Sequence, residues 1–374
     1  MHRVIISGIG VEIPEASIGN DELVASYNAW VEMENPRRVA RGEPPLSKSD
    51  SAFIVHASGI ERRHVHTLDG ILDPERMAPR IPLRSDDELS VMAEFGVASA
   101  SKALADAGLT GADIDMVIMS ASHHQRPYPA MAIEIQKAIG SEGAAFDMNL
   151  GCSSAAAALH VAFNMVRAGA QRRVLVVTPE LITGHLNFRD RQTHFIFGDA
   201  SVAMVVEQME EGATRAAGSF EVLDTRSWTQ FSNNIRSNFG YLLRAGQDDT
   251  SIIAMEGNMI TQVGNKVFKE VIQAATQFIS EFLADNGLTT SEVRRYWLHQ
   301  ANARMNAMIM KLVLGHEADQ DKAPTVLDRL GNTAGAGAVI ALKENHEDLK
   351  PGDHGLLCAF GAGYSIGAAL LRKL

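Results

Sequence analysis

The sequence predicts an α/β fold built from two similar halves. Strand-like apolar segments alternate with helix-like segments along the chain, which is the pattern of an α/β unit. The same order of segments then occurs a second time, and in each copy a Gly-containing turn leads into an Ala-rich helix. A charged, Gly-containing break separates the copies. It divides the chain into an N-terminal half, 1–210, and a C-terminal half, 211–374.

The first half opens on a strand. Val4-Ile5-Ile6 is a short β-branched run, and Gly8 and Gly10 directly after it predict a turn. No cationic leader with an apolar core precedes this strand, and no apolar run along the chain reaches the length of a transmembrane helix. We therefore expect no membrane association.

The two copies match segment by segment. Each starts with a strand that ends in small or polar residues, and the helix after it closes on a glycine, Gly140 or Gly315, as a C-cap does. The matched pairs are strands 115–123 and 293–301, helices 131–139 and 305–314, turn-containing segments 146–152 and 326–332, strands 173–177 and 355–359, and strands 197–206 and 363–371. Self-similarity at this scale predicts two halves built on one plan.

Cys152 and Asn332 occupy equivalent positions in the two copies, at the starts of the Ala-rich helices. A cysteine in such a segment is often only a small buried apolar residue. A helix start, however, lowers the pKa of a thiol, because unpaired N–H groups and the helix dipole favour the thiolate. If the halves pack about a pseudo-twofold axis, both helix starts face one central site, with His299 at the end of a neighbouring strand. A nucleophile, an imidazole and an amide then converge, as thiol-based acyl transfer requires.

Charge and cysteine content narrow the class of protein. Among 374 residues there are 34 Lys and Arg against 45 Asp and Glu, and a formal net charge of −11 argues against a nucleic-acid binder. The two cysteines, Cys152 and Cys358, are too few for a disulfide framework and have no metal-ligand spacing. The expected location is therefore the reducing cytoplasm, and Cys358, in a strand-like apolar run, is expected in the core.

Four motifs resemble the thiolase superfamily, and within it the β-ketoacyl-acyl-carrier-protein synthase III family. They are Gly151-Cys152-Ser153-Ser154, His299-Gln300-Ala301-Asn302, Gly331-Asn332-Thr333-Ala334 and Phe360-Gly361-Ala362-Gly363. The resemblance implies a thiolase-like fold, in which two βαβαβ halves form a layered αβαβα architecture. It also implies an enzyme that condenses an acyl thioester primer with malonyl-acyl-carrier protein.

The family's chemistry assigns a role to each of these motifs. Cys152 would carry the acyl group, and the backbone N–H groups of Cys152 and Ala362 would bind the tetrahedral oxyanion. His299 and Asn332 would donate hydrogen bonds to the malonyl thioester carbonyl, so that decarboxylation leaves a stabilised enolate. Asn suits this role because it donates without titrating. The resemblance implies no metal and no redox cofactor, and coenzyme A enters as the thioester of the substrate.

Further residues are assigned to substrate binding by the resemblance. Arg191 and Asn265 match positions that contact coenzyme A, and Phe360 precedes the closing glycine turn. Phe53 and Ala57 stand where the family commonly has Trp and Arg around the adenine. This chain is therefore expected to hold coenzyme A differently from a typical member.

Partner contacts are also implied. Lys269, Arg304 and Lys311 match the positions that dock the acidic acyl-carrier protein, and Arg304 and Lys311 lie seven residues apart on one helix face. Tyr128 matches a position where family dimers insert an aromatic side chain into the partner's acyl pocket, so we expect a homodimer.

The chain is longer than a typical member in two places, 32–51 and 68–87. Both segments flank the expected mouth of the substrate tunnel and would reshape or cover the access of the primer. Together with Tyr128 they favour a primer other than acetyl, and a medium-chain acyl-CoA is our hypothesis.

Three alternatives stay open at the level of sequence. A secondary-metabolism relative would condense two acyl groups without malonyl or pass the acyl group to oxygen, often with an additional catalytic Glu or with Asp in place of Asn332. A non-catalytic partner subunit would commonly lack the nucleophile. A thiol hydrolase would use His299 as a base and admit water.

Overall fold

The computed structural model describes residues 1–209, 218–237 and 260–374. The boundary expected between 210 and 211 falls on 210–217, outside the described residues. The strands are β1 (Val4–Glu12), β2 (Ser17–Gly19), β3 (Arg62–His64), β4 (Met116–Ser120), β5 (Ala144–Met148), β6 (Arg173–Glu180), β7 (Ala200–Gln208), β8 (Phe220–Thr229), β9 (Ile235–Arg236), β10 (Thr261–Gln262), β11 (Val293–Leu298), β12 (His354–Gly361) and β13 (Ser365–Lys373). The α-helices are α1 (Asn20–Ala40), α2 (Ser51–Ser58), α3 (Val91–Ala107), α4 (Met131–Ile139), α5 (Ser154–Ala168), α6 (Gly264–Asp285), α7 (Ala303–Leu314), α8 (Leu327–Leu330) and α9 (Gly337–Glu344).

A nine-stranded sheet runs through the described part of the chain in the order β11-β12-β13-β8-β1-β7-β6-β4-β5. In the first half β4 pairs in parallel with β6, and β6 pairs antiparallel with β7. The second half repeats this arrangement, because β11 pairs in parallel with β12 and β12 antiparallel with β13. The two series meet where β1 pairs antiparallel with β8. The strand order therefore follows the duplicated plan.

Helices lie in three layers around these strands. The central helix α5 packs against β6 of the first half and β13 of the second, and α9 packs against strands of both halves as well. On the outer faces, α3 and α4 cover the first half, whereas α6 and α7 cover the second. Alternate residues of β6 face different cores: Val174 and Val176 belong to the central core, and Leu175 and Val177 to the outer one. The expected αβαβα architecture is present.

The prediction of a turn at Gly8 and Gly10 is wrong. Both glycines lie inside β1, which continues to Glu12. Their role is close packing, because a Cβ at Gly8 would collide with the backbone of Ala103 and one at Gly10 with the backbone of Ser99 in α3. The helix can approach the strand this closely only where the strand has no side chain.

The two segments that were expected to be additional differ in their placement. Of the segment 32–51, residues 32–40 are the last part of α1, and residues 42–50, here called the strap, return along α1 and lead into α2. The side-chain amides of Asn28 and Asn35 hold the strap, each donating to one carbonyl and accepting from the N–H of the same residue, Ser49 and Leu46 respectively, at 2.7–3.1 Å. Residues 68–87 pack Ile71 and Met77 into the core beneath α1.

Candidate active site

A cavity of about 370 Å³ brings the three predicted catalytic side chains together. Cys152, His299 and Asn332 all line it, although they come from separate parts of the chain. Cys152 lies in a 3₁₀ turn before α5, His299 directly follows β11, and Asn332 precedes the 3₁₀ turn that leads into α9. The two central helices thus start at the same cavity, as the duplication predicts.

The environment of Cys152 differs from the expectation in one respect. Burial, reinforced by the negative charge of Glu180, raises the pKa of the Cys152 thiol to about 12, whereas the helix start was expected to lower it. The backbone N–H groups of Ala362 and of Cys152 itself act in the opposite sense and favour the thiolate. Burial outweighs them, so the resting thiol keeps its proton at neutral pH.

Those two N–H groups are the pair expected to bind an oxyanion. The end of β12 approaches Cys152 closely, because a Cβ on Gly361 would lie 3.0 Å from the Cys152 Sγ. Gly151 in turn lies against Ala362 and has a positive φ of 54°. Both glycines are therefore required for the contact that directs two backbone donors at one sulfur.

His299 is a buried imidazole at the carboxyl end of its strand. Its backbone N–H donates to the Cys358 carbonyl at 2.8 Å, and its own carbonyl accepts from the Asn306 side chain at 2.8 Å. The ring meets the Phe360 ring edge to face, with centroids 5.4 Å apart. Burial lowers the pKa of His299 to about 4, while a hydrogen bond with the backbone of Ala334 acts to raise it. The imidazole is therefore neutral at physiological pH.

Asn332 is held by its backbone and oriented through its side chain. Its N–H donates to the Ile196 carbonyl at 2.8 Å, and its carbonyl accepts from Gly198 N–H at 3.1 Å. The side-chain Oδ1 accepts from Ala334 N–H at 2.9 Å. This bond fixes the orientation of the amide and leaves the two Nδ2 hydrogens available as donors.

The cavity mouth combines several predicted substrate-binding residues. Phe53 on α2, Arg191 and Asn265 all line the cavity, as does the deeper Phe360. The Arg191 guanidinium lies 4.8 Å from the centroid of the Phe53 ring, and its Nε donates to the Lys48 carbonyl of the strap at 2.9 Å. The strap therefore shapes the mouth, whereas residues 68–87 do not line the cavity.

Other predicted residues lie away from the cavity. Tyr128 is 81% exposed, in the loop before α4. Lys269, Arg304 and Lys311 are exposed on α6 and α7; Arg304 contacts the His56 ring, and the Lys311 ammonium lies 3.3 Å from Glu317. Their exposure is what carrier-protein docking would require.

Sequence reasoning missed Glu180, the last residue of β6. It is fully buried, and burial raises the pKa of its carboxyl to about 8. Its charge affects Cys152, although 28 positions separate them in the numbering. The signal in the sequence is a carboxylate three residues after the apolar run Val174-Leu175-Val176-Val177.

Metal ligation and membrane insertion find no support in the described ranges. No group of three or more His, Cys, Asp or Glu side chains there is arranged to hold a metal ion. Among the same residues, no helix combines the length and the apolar content needed to span a bilayer. Cys358 is buried in the core, as expected.

Two family models match the chain. The model described as 3-oxoacyl-[acyl-carrier-protein (ACP)] synthase III matches residues 146–222, which include Cys152. The model described as the C terminal of 3-oxoacyl-[acyl-carrier-protein (ACP)] synthase III matches residues 283–373, which include His299 and Asn332. The second match lies in the C-terminal half, and the first lies in the N-terminal half except for its last residues, 211–222.

Individual proteins resemble the chain along its whole length. The β-ketodecanoyl-[acyl-carrier-protein] synthase of Pseudomonas aeruginosa is 47% identical over 352 residues, which cover 93% of this chain and 99% of the relative. The β-ketoacyl-[acyl-carrier-protein] synthase III of Bartonella tribocorum is 30% identical and is covered completely, as is this chain. The solved 3-oxoacyl-[acyl-carrier-protein] synthase III of Aquifex aeolicus superposes with a TM-score of 0.77 at 23% identity, covering 99% of both chains. This last likeness confirms the predicted fold.

Proposed function

The chain belongs to the β-ketoacyl-[acyl-carrier-protein] synthase III family, and from this premise we propose how its own residues perform the reaction. The enzyme is an acyltransferase that condenses an acyl primer with malonyl-acyl-carrier protein. The observation that supports the assignment of roles is the cavity shared by Cys152, His299 and Asn332. We keep the division into halves at 210 and 211 as part of the proposal, supported by the repeated strand order.

Acylation is the first step of the proposed mechanism. The Cys152 Sγ attacks the thioester carbonyl of the primer, and its proton passes to the neutral His299 imidazole. The C–S bond to coenzyme A then breaks, and the leaving thiolate takes the proton. The N–H groups of Cys152 and Ala362 stabilise the oxyanion between these events, because both are already directed at the sulfur that forms the new bond.

Decarboxylation and condensation follow. The malonyl thioester carbonyl accepts hydrogen bonds from His299 and from the Asn332 Nδ2 group. The C–C bond to the carboxylate breaks, CO₂ leaves, and the electron pair forms an enolate that these donors stabilise. The carbanion attacks the acyl carbonyl on Cys152, a new C–C bond forms, and the Cys152 thiolate leaves and takes a proton from water. No step uses a metal or a redox cofactor.

A medium-chain acyl-CoA is the proposed primer. The name of the Pseudomonas aeruginosa relative refers to a ketodecanoyl product, which consists of eight primer carbons extended by two from malonyl. Phe53, Arg191, Asn265 and Phe360 line the same cavity as Cys152 and are proposed to contact the acyl-CoA. Because Arg191 already lies against Phe53, the nucleotide would meet a preformed surface at the mouth.

The proposed partner contacts use exposed residues. Lys269, Arg304 and Lys311 would dock the acidic carrier protein, which a net-negative enzyme needs local positive charge to attract. Tyr128 would enter the acyl pocket of a second copy in a homodimer, and its exposure supports this. A cytoplasmic location is proposed because the substrates are made there and both cysteines are free thiols.

Acyl-enzyme formation tests the assignment. Wild type and the Cys152→Ala variant are incubated with acyl-CoAs of two to twelve carbons, and the mass of the intact protein is measured before and after addition of malonyl-acyl-carrier protein. We expect octanoyl-sized primers to label the wild type most rapidly, no labelling of Cys152→Ala, and loss of the label when malonyl-carrier protein is added.

The same experiment separates the parts of the proposal. Labelling of the Cys152→Ala variant would show that Cys152 is not the nucleophile. Acetyl-CoA as the fastest primer would overturn the medium-chain assignment and leave the nucleophile standing. A Tyr128→Ala variant, tested in the same way, whose preference among the primers is unchanged would contradict the proposal that Tyr128 enters the acyl pocket of a second copy.

A further inference from the structure

Glu180 lies at the junction of the two halves. Its Oε1 accepts from the N–H groups of Ser122 and Gly335 at 3.0 and 3.1 Å, and its Oε2 accepts from the Ser122 hydroxyl at 2.6 Å. Ser122 follows β4 of the first half, whereas Gly335 is in the 3₁₀ turn Ala334–Ala336 of the second. One buried carboxyl therefore ties the turn to the ends of β4 and β6 in the first half.

The anchored turn carries the polar contacts of two cavity residues. Ala334 donates its N–H to the Asn332 Oδ1 at 2.9 Å, and its backbone lies close enough to the His299 ring to act on the pKa of the imidazole. Gly335, the next residue, is the one held by Glu180. A displacement of this turn would therefore change the orientation of both groups that are proposed to stabilise the enolate.

The backbone of the turn needs support from its surroundings. Ala334 has a φ of 43°, a left-handed conformation that is unfavourable for a residue with a side chain. Such a conformation persists only where neighbouring contacts determine it. The bond from Gly335 N–H to Glu180 is one such contact. Close packing is another, because a Cβ on Gly335 would lie 2.9 Å from the Glu180 Oε1 and 3.0 Å from the Thr178 Cγ2.

We propose that Glu180 is a positioning residue for the decarboxylation step, because it holds the turn that orients Asn332 and His299. The proposal rests on the roles proposed above for those two residues. Glu180 does not touch the substrate. It acts through Gly335 and Ala334. Because it contacts both halves, it fixes the position of Asn332 relative to Cys152.

The charge of Glu180 matters as well as its hydrogen bonds. The groups that act on it are Cys152, Asp199 and, with Nδ1 3.9 Å from Oε2, His123. His123 in turn packs against His185 at 4.1 Å between ring centroids, and burial lowers the pKa of both imidazoles. With neutral imidazoles beside it, an ionised Glu180 would oppose formation of the Cys152 thiolate. The protonated carboxyl is therefore the form that suits acylation.

Separate assays of the two half-reactions test the proposal. Decarboxylation of malonyl-carrier protein without primer is compared with the rate at which octanoyl-CoA acylates Cys152. We expect Glu180→Ala to slow decarboxylation about 10- to 100-fold, less than the roughly 10²–10³-fold cost of removing a donor, because the donors remain and only their orientation is lost. Acylation should change by less than about threefold. Glu180→Gln should restore decarboxylation, because its Oε1 still accepts from Gly335 and its Nε2 can donate to the Ser122 hydroxyl.

The pH dependence supplies a second readout. Alkylation of Cys152 by iodoacetamide should be equal in wild type and Glu180→Gln at pH 6 and faster in the variant at pH 9, where the wild-type carboxylate is charged. The matched control is Glu221→Ala, which removes another buried carboxyl, one that pairs with Arg3 and Arg372 far from the cavity. It should lower the melting temperature without changing the ratio of the two half-reactions.

Each outcome decides between support and rejection. Equal losses in both half-reactions, or no rescue by Glu180→Gln, would reject the positioning role. Identical alkylation profiles would reject the effect of the Glu180 charge on the Cys152 thiol. If Glu180→Ala does not fold, Gly335→Ala replaces it, since the added Cβ displaces the same contact. If an Asn332→Ala variant decarboxylates malonyl-carrier protein as fast as the wild type, the proposed function itself is refuted.

Discussion

His194 is a buried imidazole whose two ring nitrogens have no hydrogen-bond partner among the described residues. It packs against Tyr27 and Phe195, with ring centroids 4.7 and 5.6 Å away. Burial, aided by the charges of Arg63 and Arg191, lowers the pKa of His194 to about 3. The folded state therefore keeps the ring neutral where the unfolded chain already binds a proton.

This difference predicts how stability changes with acid. Between pH 6.5 and about pH 3 the unfolded state binds more protons at His194, so the free energy of unfolding falls as the pH falls, by at most about 1.4 kcal/mol per pH unit for this residue. His194→Phe should remove that contribution. Urea unfolding at pH 7 and pH 4.5 should show a decrease smaller by about 2 kcal/mol in the variant than in wild type. The exposed His316→Gln is the control, and an unaltered pH dependence in His194→Phe would contradict the explanation.

At the scale of residues, the identity of the cavity side chains could be predicted, but their ionisation could not. Cys152, His299 and Asn332 were recognisable from motifs and from their equivalent positions in the two copies. The direction of the Cys152 pKa shift depends on burial and on Glu180, neither of which is visible in the segment around the cysteine. The helix start can be predicted from the local sequence, whereas the residues that pack over it cannot.

The strap is an element whose shape depends on side chains of its neighbour. Asn28 and Asn35 form four hydrogen bonds to its backbone, and the carbonyl of Lys48, near its end, accepts from Arg191. The strap also precedes α2, which carries Phe53 at the cavity mouth. Its attachment to α1 should therefore affect both stability and substrate binding.

Removing the two amides tests this dependence. The double variant Asn28→Ala, Asn35→Ala should lose about 2–4 kcal/mol of unfolding free energy, at about 1 kcal/mol for each hydrogen bond. The KM for octanoyl-CoA should rise several-fold while kcat changes little, because the mouth loosens and the catalytic cavity stays intact. Lys48→Ala removes only an exposed ion pair with Glu32 and is the matched control for stability. An equal KM for octanoyl-CoA in the double variant and the wild type would contradict a role of the strap in substrate binding.

Element boundaries followed local signals where those signals were strong. The helix predicted over 131–139 is observed with the same ends, and Gly140 and Gly315 both adopt the left-handed C-cap conformation. The prediction at the glycines of β1 was wrong because the reason for these glycines is their close packing against α3, about 90 residues away in the numbering. A glycine required for close packing has the same sequence signature as a glycine required for a turn.

The whole molecule combines a net charge of −11 with exposed cations on one helix face. Arg304 and Lys311 on α7 are proposed to attract an acidic carrier protein, so the double variant Arg304→Glu, Lys311→Glu should raise the KM for malonyl-carrier protein about tenfold at low salt. The difference from wild type should shrink as salt is added, because exposed charges are screened. Acylation by octanoyl-CoA should be unchanged.

A matched charge reversal is available elsewhere. Lys350 is exposed in the loop before β12, and its replacement by Glu changes the net charge half as much as the double variant does. If Lys350→Glu raises the KM as much as the double variant does per charge, the effect belongs to the net charge of the enzyme, and the docking proposal fails.

The duplicated architecture could be predicted at this scale because the same order of strand-like and helix-like segments occurs twice in the sequence. The differences between the copies could not. The counterpart of strand β5 in the second half is the short helix α8, although both segments lead into a central helix. Whether a segment pairs as a strand depends on the rest of the sheet. A sequence comparison of the two copies therefore cannot predict it.

The junction of β1 with β8 and β13 has a consequence for the time course of folding. These three neighbouring strands come from the start, the middle and the end of the printed sequence, so the centre of the sheet closes only between distant parts of the chain. Contacts of this kind slow folding, because the entropy of closing long loops is lost before the strands pair. During synthesis β1 must wait for β7 and then for β8, and β8 keeps an open edge until β13 emerges. We therefore expect nascent chains that end before residue 365 to bind chaperones or aggregate, and the catalytic cavity to form among the last events of folding.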